Sequence, residues 1–243
     1  MLRIFGAYVG LLTILWTVLG REHVTPDYRT QEAPREAGII RGALSHRDLW
    51  VGGFGFMGAT FAMSAFLSFF PTLMLDTYHV SLQWSGRILA LSTFVGGPTG
   101  LGVGYVVMRL GRGKSFLKVF GLLMAATFTG MALTASIPLL LALAFLNGVA
   151  WGFWPILHTV PYQLPGIRPR EVAVALAATM MLISSGTVLG PLVAGFLQQA
   201  LGDLRLTLLF VSFTPISLTV AGSLLRVGGR PVDVQSASPA KSA

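Results

Sequence analysis

Two stretches decide how this chain is read: Ser92-Thr-Phe-Val-Gly-Gly97-Pro98-Thr-Gly-Leu-Gly102 and Ser185-Gly186-Thr-Val-Leu-Gly190-Pro191-Leu-Val-Ala-Gly195. Both follow the pattern Ser-x4-Gly-Pro-x3-Gly, both lie inside long apolar segments, and their prolines are 93 residues apart. In water a proline inside a helix costs a hydrogen bond. In lipid, neighbouring helices, hydroxyl side chains and local rearrangement make that bond good. Glycine in turn lets helix backbones approach closely where no hydrophobic force drives them together. Matching Gly/Pro-interrupted segments at corresponding places are the sequence mark of a membrane bundle built from internal repeats. On this reading Gly97, Pro98, Gly102, Gly186, Gly190, Pro191 and Gly195 are helix-packing positions.

The composition agrees. Charged residues make up 11% of the 243 and hydrophobic residues 53%, whereas a soluble domain needs roughly 25% charged residues for its skin. Mean hydropathy is +0.72. A bilayer-spanning helix needs about 20 predominantly apolar residues. Seven segments qualify, at 3–20, 48–75, 84–108, 115–135, 138–163, 171–199 and 204–226. None alternates polar and apolar residues as a lipid-facing barrel strand does. The fold class is therefore all-α, a polytopic membrane helix bundle. Residues 21–47, with Arg21, Arg29, Arg35, Arg41 and Arg47, form a polar linker, and residues 227–243 read as a disordered tail.

The net charge of +8 does not point to nucleic acid, because the basic residues cluster in short loops between the apolar spans. Fourteen of the seventeen Lys and Arg residues fall in the 21–47 linker, the 109–118 loop, the Arg168/Arg170 loop and the tail. Arg3, Arg87 and Arg205 remain for the other side. By the positive-inside rule the linker and the carboxy terminus are cytoplasmic and the amino terminus is outside. A secretion signal at 3–20 is the rival reading, since Val18-Leu19-Gly20 loosely fits a cleavage site. Cleavage would turn the arginine-rich loops outward, so the spanning reading is preferred. An outside amino terminus with no signal leads to the expectation that further helices precede Met1.

Chemistry-bearing groups are sparse. Cysteine is absent, which removes thiolate ligands and thiol nucleophiles. His23, His46, His79 and His158 are scattered, and no nucleophile elbow or phosphate-cradling loop occurs. No catalytic residue, metal site or cofactor is expected, and the chain is not read as an enzyme. No Asp or Glu falls in mid-span; Asp48, Asp76, Glu171 and Asp203 stand at span ends. Arg87, one turn inside its span, either binds an anion with its planar fork or snorkels to the interface. Asn147, Trp151 and Trp154 fall on overlapping faces of one span and are candidates to line a cavity. His158, among Pro155, Pro161 and Pro165, either titrates or bonds a carbonyl freed by a proline. Ser92, Thr93, Ser184 and Ser185 are expected to bond across helices or to carbonyls one turn back. The Gly52-Gly53-x-Gly55-x-x-Gly58 run is expected to permit bending.

Gly104-Tyr-Val-Val-Met108-Arg109-Leu-Gly111-Arg112-Gly113-Lys114 resembles the loop signature Gly-x-x-x-Asp-Arg-x-Gly-Arg-Arg of the major facilitator superfamily, with Met108 in place of the aspartate. Gly186-x-x-x-Gly190-Pro191-x-x-x-Gly195 with Gly202-Asp203-Leu204-Arg205 is similar to the eleventh helix of that family and its following turn. The resemblance implies a carboxy-terminal transporter half. Span 3–20 would be helix six, 21–47 the central cytoplasmic loop, and 48–226 helices seven to twelve, built as 3+3 inverted repeats. It implies secondary transport of a small solute by alternating access in the cell membrane, with a lean toward a small or organic anion. The alternative is a truncated or split half, inactive alone and completed by a separately encoded amino-terminal half.

Overall fold

A computed structural model describes residues 10, 13, 15, 17, 37–110, 113–163 and 166–225. The chain divides into two units, Met1–Glu36 and Ala37–Ala243. In the first, Gly10, Thr13, Leu15 and Thr17 are helical; the rest of the expected 3–20 span, the linker to residue 36 and the tail beyond 225 lie outside the described residues. In the second, a short helix α1 (Ala37–Leu44) precedes α2 (Arg47–Asp76), α3 (Leu82–Leu110), α4 (Gly113–Leu133), α5 (Ile137–Thr159), α6 (Pro169–Leu201) and α7 (Leu204–Leu224). Among the described residues there is no strand. Helices α2 to α7 are each long and apolar enough to cross a membrane.

The expected spans match these helices to within a few residues, and the misses have local causes. Within the expected 21–47 linker, residues 37–44 are helical. Ile40 is exposed, while Ala43 is fully buried and Leu44 packs against a small cluster of Leu49 and Ala175. Gly42 lies so close to Glu171 at the start of α6 that a Cβ there would strike the carboxylate. Helix α5 narrows to a tighter turn at Trp151–Phe153, just before Pro155. Helix α7 is interrupted at 213–215, where Pro215 lacks an N–H to continue the ladder. Thr214 Oγ1 donates there to the Gly58 carbonyl at 2.9 Å, and Ser217 Oγ to that of Gly55 at 3.0 Å, both across to α2.

The Gly52–Gly58 run serves close approach within a helix unbroken from Arg47 to Asp76: Gly53 lies against Leu182 of α6, and Gly55 against Ala221 and Gly58 against Ser217 of α7. At the α6–α7 turn, Gly202 takes a left-handed φ of 66°, and Asp203 caps α7 by accepting from the Arg205 and Leu206 amides at 2.7 and 3.2 Å. A glycine ends one helix and an aspartate starts the next, each suited to its backbone.

The packing has an internal order. Helix α2 packs in parallel on α6 and antiparallel on α7; α5 packs in parallel on α3 and antiparallel on α4; α4 packs on α7. The pattern is unchanged when α2, α3 and α4 are exchanged with α5, α6 and α7. Partners in this exchange are three spans apart, so they cross a bilayer in opposite directions, as inverted repeats must. The core between them is filled by Phe56, Phe66, Phe70, Met124, Met131, Leu140 and Phe153, all at most 1% exposed.

Candidate functional site

Burial is uneven across the six spans. In α3 and α6 only 22% of the central stretch is buried, against 39 to 50% in the other four. The uncovered face of α3 runs through Arg87, Thr93, Phe94, Gly97, Leu101 and Tyr105. That of α6 runs through Ala177, Met181, Ser184, Val188, Leu192 and Phe196. Both helices keep one side against a partner and leave the other bare.

The sequence-predicted packing glycines divide along the same line. On α6, a Cβ at Gly186 would meet the Met57 carbonyl and Thr60 hydroxyl of α2, and one at Gly190 the Phe61 carbonyl and Ser64 hydroxyl. Thr60 Oγ1 also donates to the Ile183 carbonyl at 3.1 Å, beside this seam. Gly195 makes ordinary contact with Phe69. On α3 the expectation fails. Gly97 and Gly102 have nothing within 4 Å of where a Cβ would stand. The packed row is Gly96, Gly100 and Gly104, one residue out of register, against Trp151 and Pro155 of α5. Four-residue spacing places these three on one helix face, and the face carrying Gly97 and Pro98 is left open.

The cavity candidates do not converge. Asn147 is 2% exposed and fully engaged between helices: its Oδ1 accepts from Ser92 Oγ at 2.9 Å and its Nδ2 donates to Thr127 Oγ1 at 2.9 Å. It ties α3, α4 and α5 together at the level where Gly148 rests on the Ser92 carbonyl. Trp151 lies on Gly96, with its indole N–H buried and unpartnered among the described residues. Trp154 stacks on Phe153 at 5.5 Å, and Phe153 on Phe56 at 5.7 Å, joining a run of rings through the core.

His158 is exposed near the end of α5. Arg87 is exposed, with its guanidinium 5.0 Å from the Trp84 ring; among the described residues no carboxylate pairs with it. Ser92 stands level with Asn147 on the parallel pair α3–α5. Arg87 and His158 are therefore about sixteen residues of rise apart, roughly 24 Å, at opposite ends of the bundle. Thr127, the third member of the polar tie, carries no sequence signal that sets it apart from other mid-span threonines.

In the loop motif, Gly104 faces Pro155, which a Cβ on the glycine would crowd at 3.3 Å, and Arg109 lies over Tyr105 at 4.7 Å. Gly111 and Arg112 lie outside the described residues. Three of the four hydroxyls expected to bond locally or across helices do so: Thr93 donates to the Leu89 carbonyl at 3.1 Å, Ser185 to that of Met181 at 2.8 Å, and Ser92 across to Asn147. No three His, Asp or Glu side chains converge into a metal-ligand set among the described residues.

Two relatives are similar to part of the chain. Both are the multi-drug resistance efflux pump PmrA, from two strains of Streptococcus pneumoniae. Each is 27% identical over 139 residues, which is 57% of this chain and 34% of the relative. The match thus spans about a third of the length of those proteins. The description of the Major Facilitator Superfamily matches residues 2–180, most of the sequence, in keeping with six apolar helices arranged as two exchanged triplets. The chain is a multi-pass membrane protein that belongs to the Major Facilitator Superfamily.

Proposed function

We propose that this chain forms one wall of a permease that moves a small amphipathic solute by alternating access, rather than an enzyme. The observation that carries the reading is the bare face of α3 and α6. Arg87, Thr93 and the gap over Gly97 share that face, and charge in a bilayer is costly and is normally turned to a cavity or a partner. The closely packed glycines of α6 on α2 and the Asn147 tie from α5 to α3 and α4 lock the two triplets together as one body, as a body that rocks against another must be. The bare faces then require a second wall of helices, supplied by other spans of the same polypeptide or by another chain. Asn147, Trp151 and Trp154 hold the wall's shape from behind, and Arg87 with Thr93 and Phe94 meets the solute.

The pumps named above are multidrug exporters. The apolar lining of Met181, Val188, Leu192 and Phe196 suits the same broad class of solute, and Arg87 adds a preference for an acidic group. The membrane is the cell membrane, with the arginine-rich loops and carboxy terminus on the cytoplasmic side.

The test is transport of a carboxylate-bearing fluorescent dye, and of its neutral amide, in cells making the protein at matched membrane levels. Removing a charge-assisted hydrogen bond costs roughly 1.5–3 kcal/mol, so Arg87→Gln raises KM for the acid by about tenfold or more and leaves the amide unchanged. Equal handling of acid and amide by both proteins would remove the anion preference. No transport of either by the wild type, made together with the helices that complete its second wall, would remove the permease reading.

A further inference from the structure

At the end of the bundle where Arg47 begins α2 and Leu224 ends α7, the two helices part to leave a groove of about 570 Å³. Its walls are Trp50, Val51 and Phe54 on one side and Val220 and Leu224 on the other, with Gly55 and Ala221 as the floor and Arg47 at the mouth. The volume is within the range of small-molecule sites, roughly 300–1,000 Å³. The lining polar groups near the floor and wall are spent internally. Ser217 Oγ donates to the Gly55 carbonyl at 3.0 Å. The Trp50 indole N–H donates to the Leu44 carbonyl at 2.9 Å, which fixes that ring as a wall, stacked on Phe54 at 6.1 Å. What is left for an occupant is hydrocarbon below and one guanidinium above.

The charge around the mouth has one sign. Arg41, Arg47, Lys118 and Arg168 are exposed at this end, whereas Asp48 and Glu171, its two carboxylates among the described residues, are each 7% exposed and turned inward. An aromatic side chain next to an arginine at a helix end is how a protein meets the boundary between acyl chains and headgroups. We infer that this groove is a binding site for an anionic phospholipid, one acyl chain lying between α2 and α7 and the phosphate on Arg47. The inference rests on the chain being embedded in a membrane and is independent of the transport reading.

The experiment places the full chain in nanodiscs of phosphatidylcholine and titrates in phosphatidylglycerol brominated on its acyl chains, reading tryptophan fluorescence. Bromine quenches only in contact. Trp50→Phe identifies the groove's share of the signal. An arginine beside an anionic surface contributes about 1 kcal/mol, so quenching of Trp50 by the anionic lipid should exceed that by brominated phosphatidylcholine by about fivefold. Arg47→Gln should abolish that preference while leaving quenching by the neutral lipid, and Val220→Phe, which fills the groove without adding a tryptophan, should displace both lipids from Trp50.

Equal quenching by the two lipids in the wild type would mean that the groove merely touches bulk bilayer. No quenching by either would mean that protein covers it. Each result overturns the proposal, and neither bears on dye transport.

Discussion

The Gly-Pro segments of α3 and α6 share a sequence pattern and sit at exchanged positions in the two triplets, yet they live in opposite surroundings. In α6, Gly186 and Gly190 press on the α2 backbone at Met57 and Phe61. In α3, Gly97 and Gly102 face open space, and packing passes to Gly96, Gly100 and Gly104. A register shift of one residue turns a helix face by about 100°. The same letters thus serve contact in one repeat and leave a gap in the other. Similarity of sequence between repeats fixes which helices correspond but does not fix which face each turns to its neighbour.

The comparison is most severely tested by filling the two glycines. Gly190→Leu places a side chain where the Phe61 carbonyl and Ser64 hydroxyl already stand. Overpacking of this kind costs about 3 kcal/mol or more, and the yield of monodisperse protein after detergent extraction should collapse. Next in size is the polar tie behind α3. Asn147→Leu leaves Ser92 and Thr127 without their shared partner. The loss should be about 1–2 kcal/mol in a denaturation midpoint series, modest because hydroxyls in lipid find substitutes. Combining it with Thr127→Val should add little further, since both changes cut one network. Smallest is Gly97→Ala, which meets nothing and trades a poor helix former for the best. It should stabilise by about 0.5–1 kcal/mol, or at least do no harm. A Gly97→Ala protein as damaged as Gly190→Leu would erase the contrast between the two segments.

How much of this was legible beforehand follows the same physics. Span number, span limits and the pairing of the Gly-Pro helices come from hydropathy and spacing, which lipid enforces over some 20 residues at a time. The 37–44 helix was hidden because Ala37-Gly-Ile-Ile-Arg-Gly-Ala-Leu44 is short and glycine-bearing; it is held by docking on α6 beside Glu171, a contact made by residues about 130 positions away. The role of Asn147 was hidden for the same reason. A mid-span asparagine is able either to line a cavity or to tie helices, and what separates the two here is Thr127 on α4 and Ser92 on α3. Arg87 was legible as an anomaly, because one charge inside an apolar run is visible without any structure. That its neighbours on the same bare face are Thr93 and Phe94 required the helix register.

The central claim is that the bare face of α3 borders a water-accessible path and not lipid. The chain contains no cysteine, so single cysteines introduced one at a time report cleanly. Labelling with a charged, membrane-impermeant thiol reagent in intact membranes should proceed at Thr93→Cys and Gly97→Cys, and fail at Leu122→Cys on the outer side of α4, which is equally exposed in the isolated bundle (56% for Leu122). Labelling at all three, or protection of Thr93→Cys and Gly97→Cys to the same degree as Leu122→Cys, would contradict it.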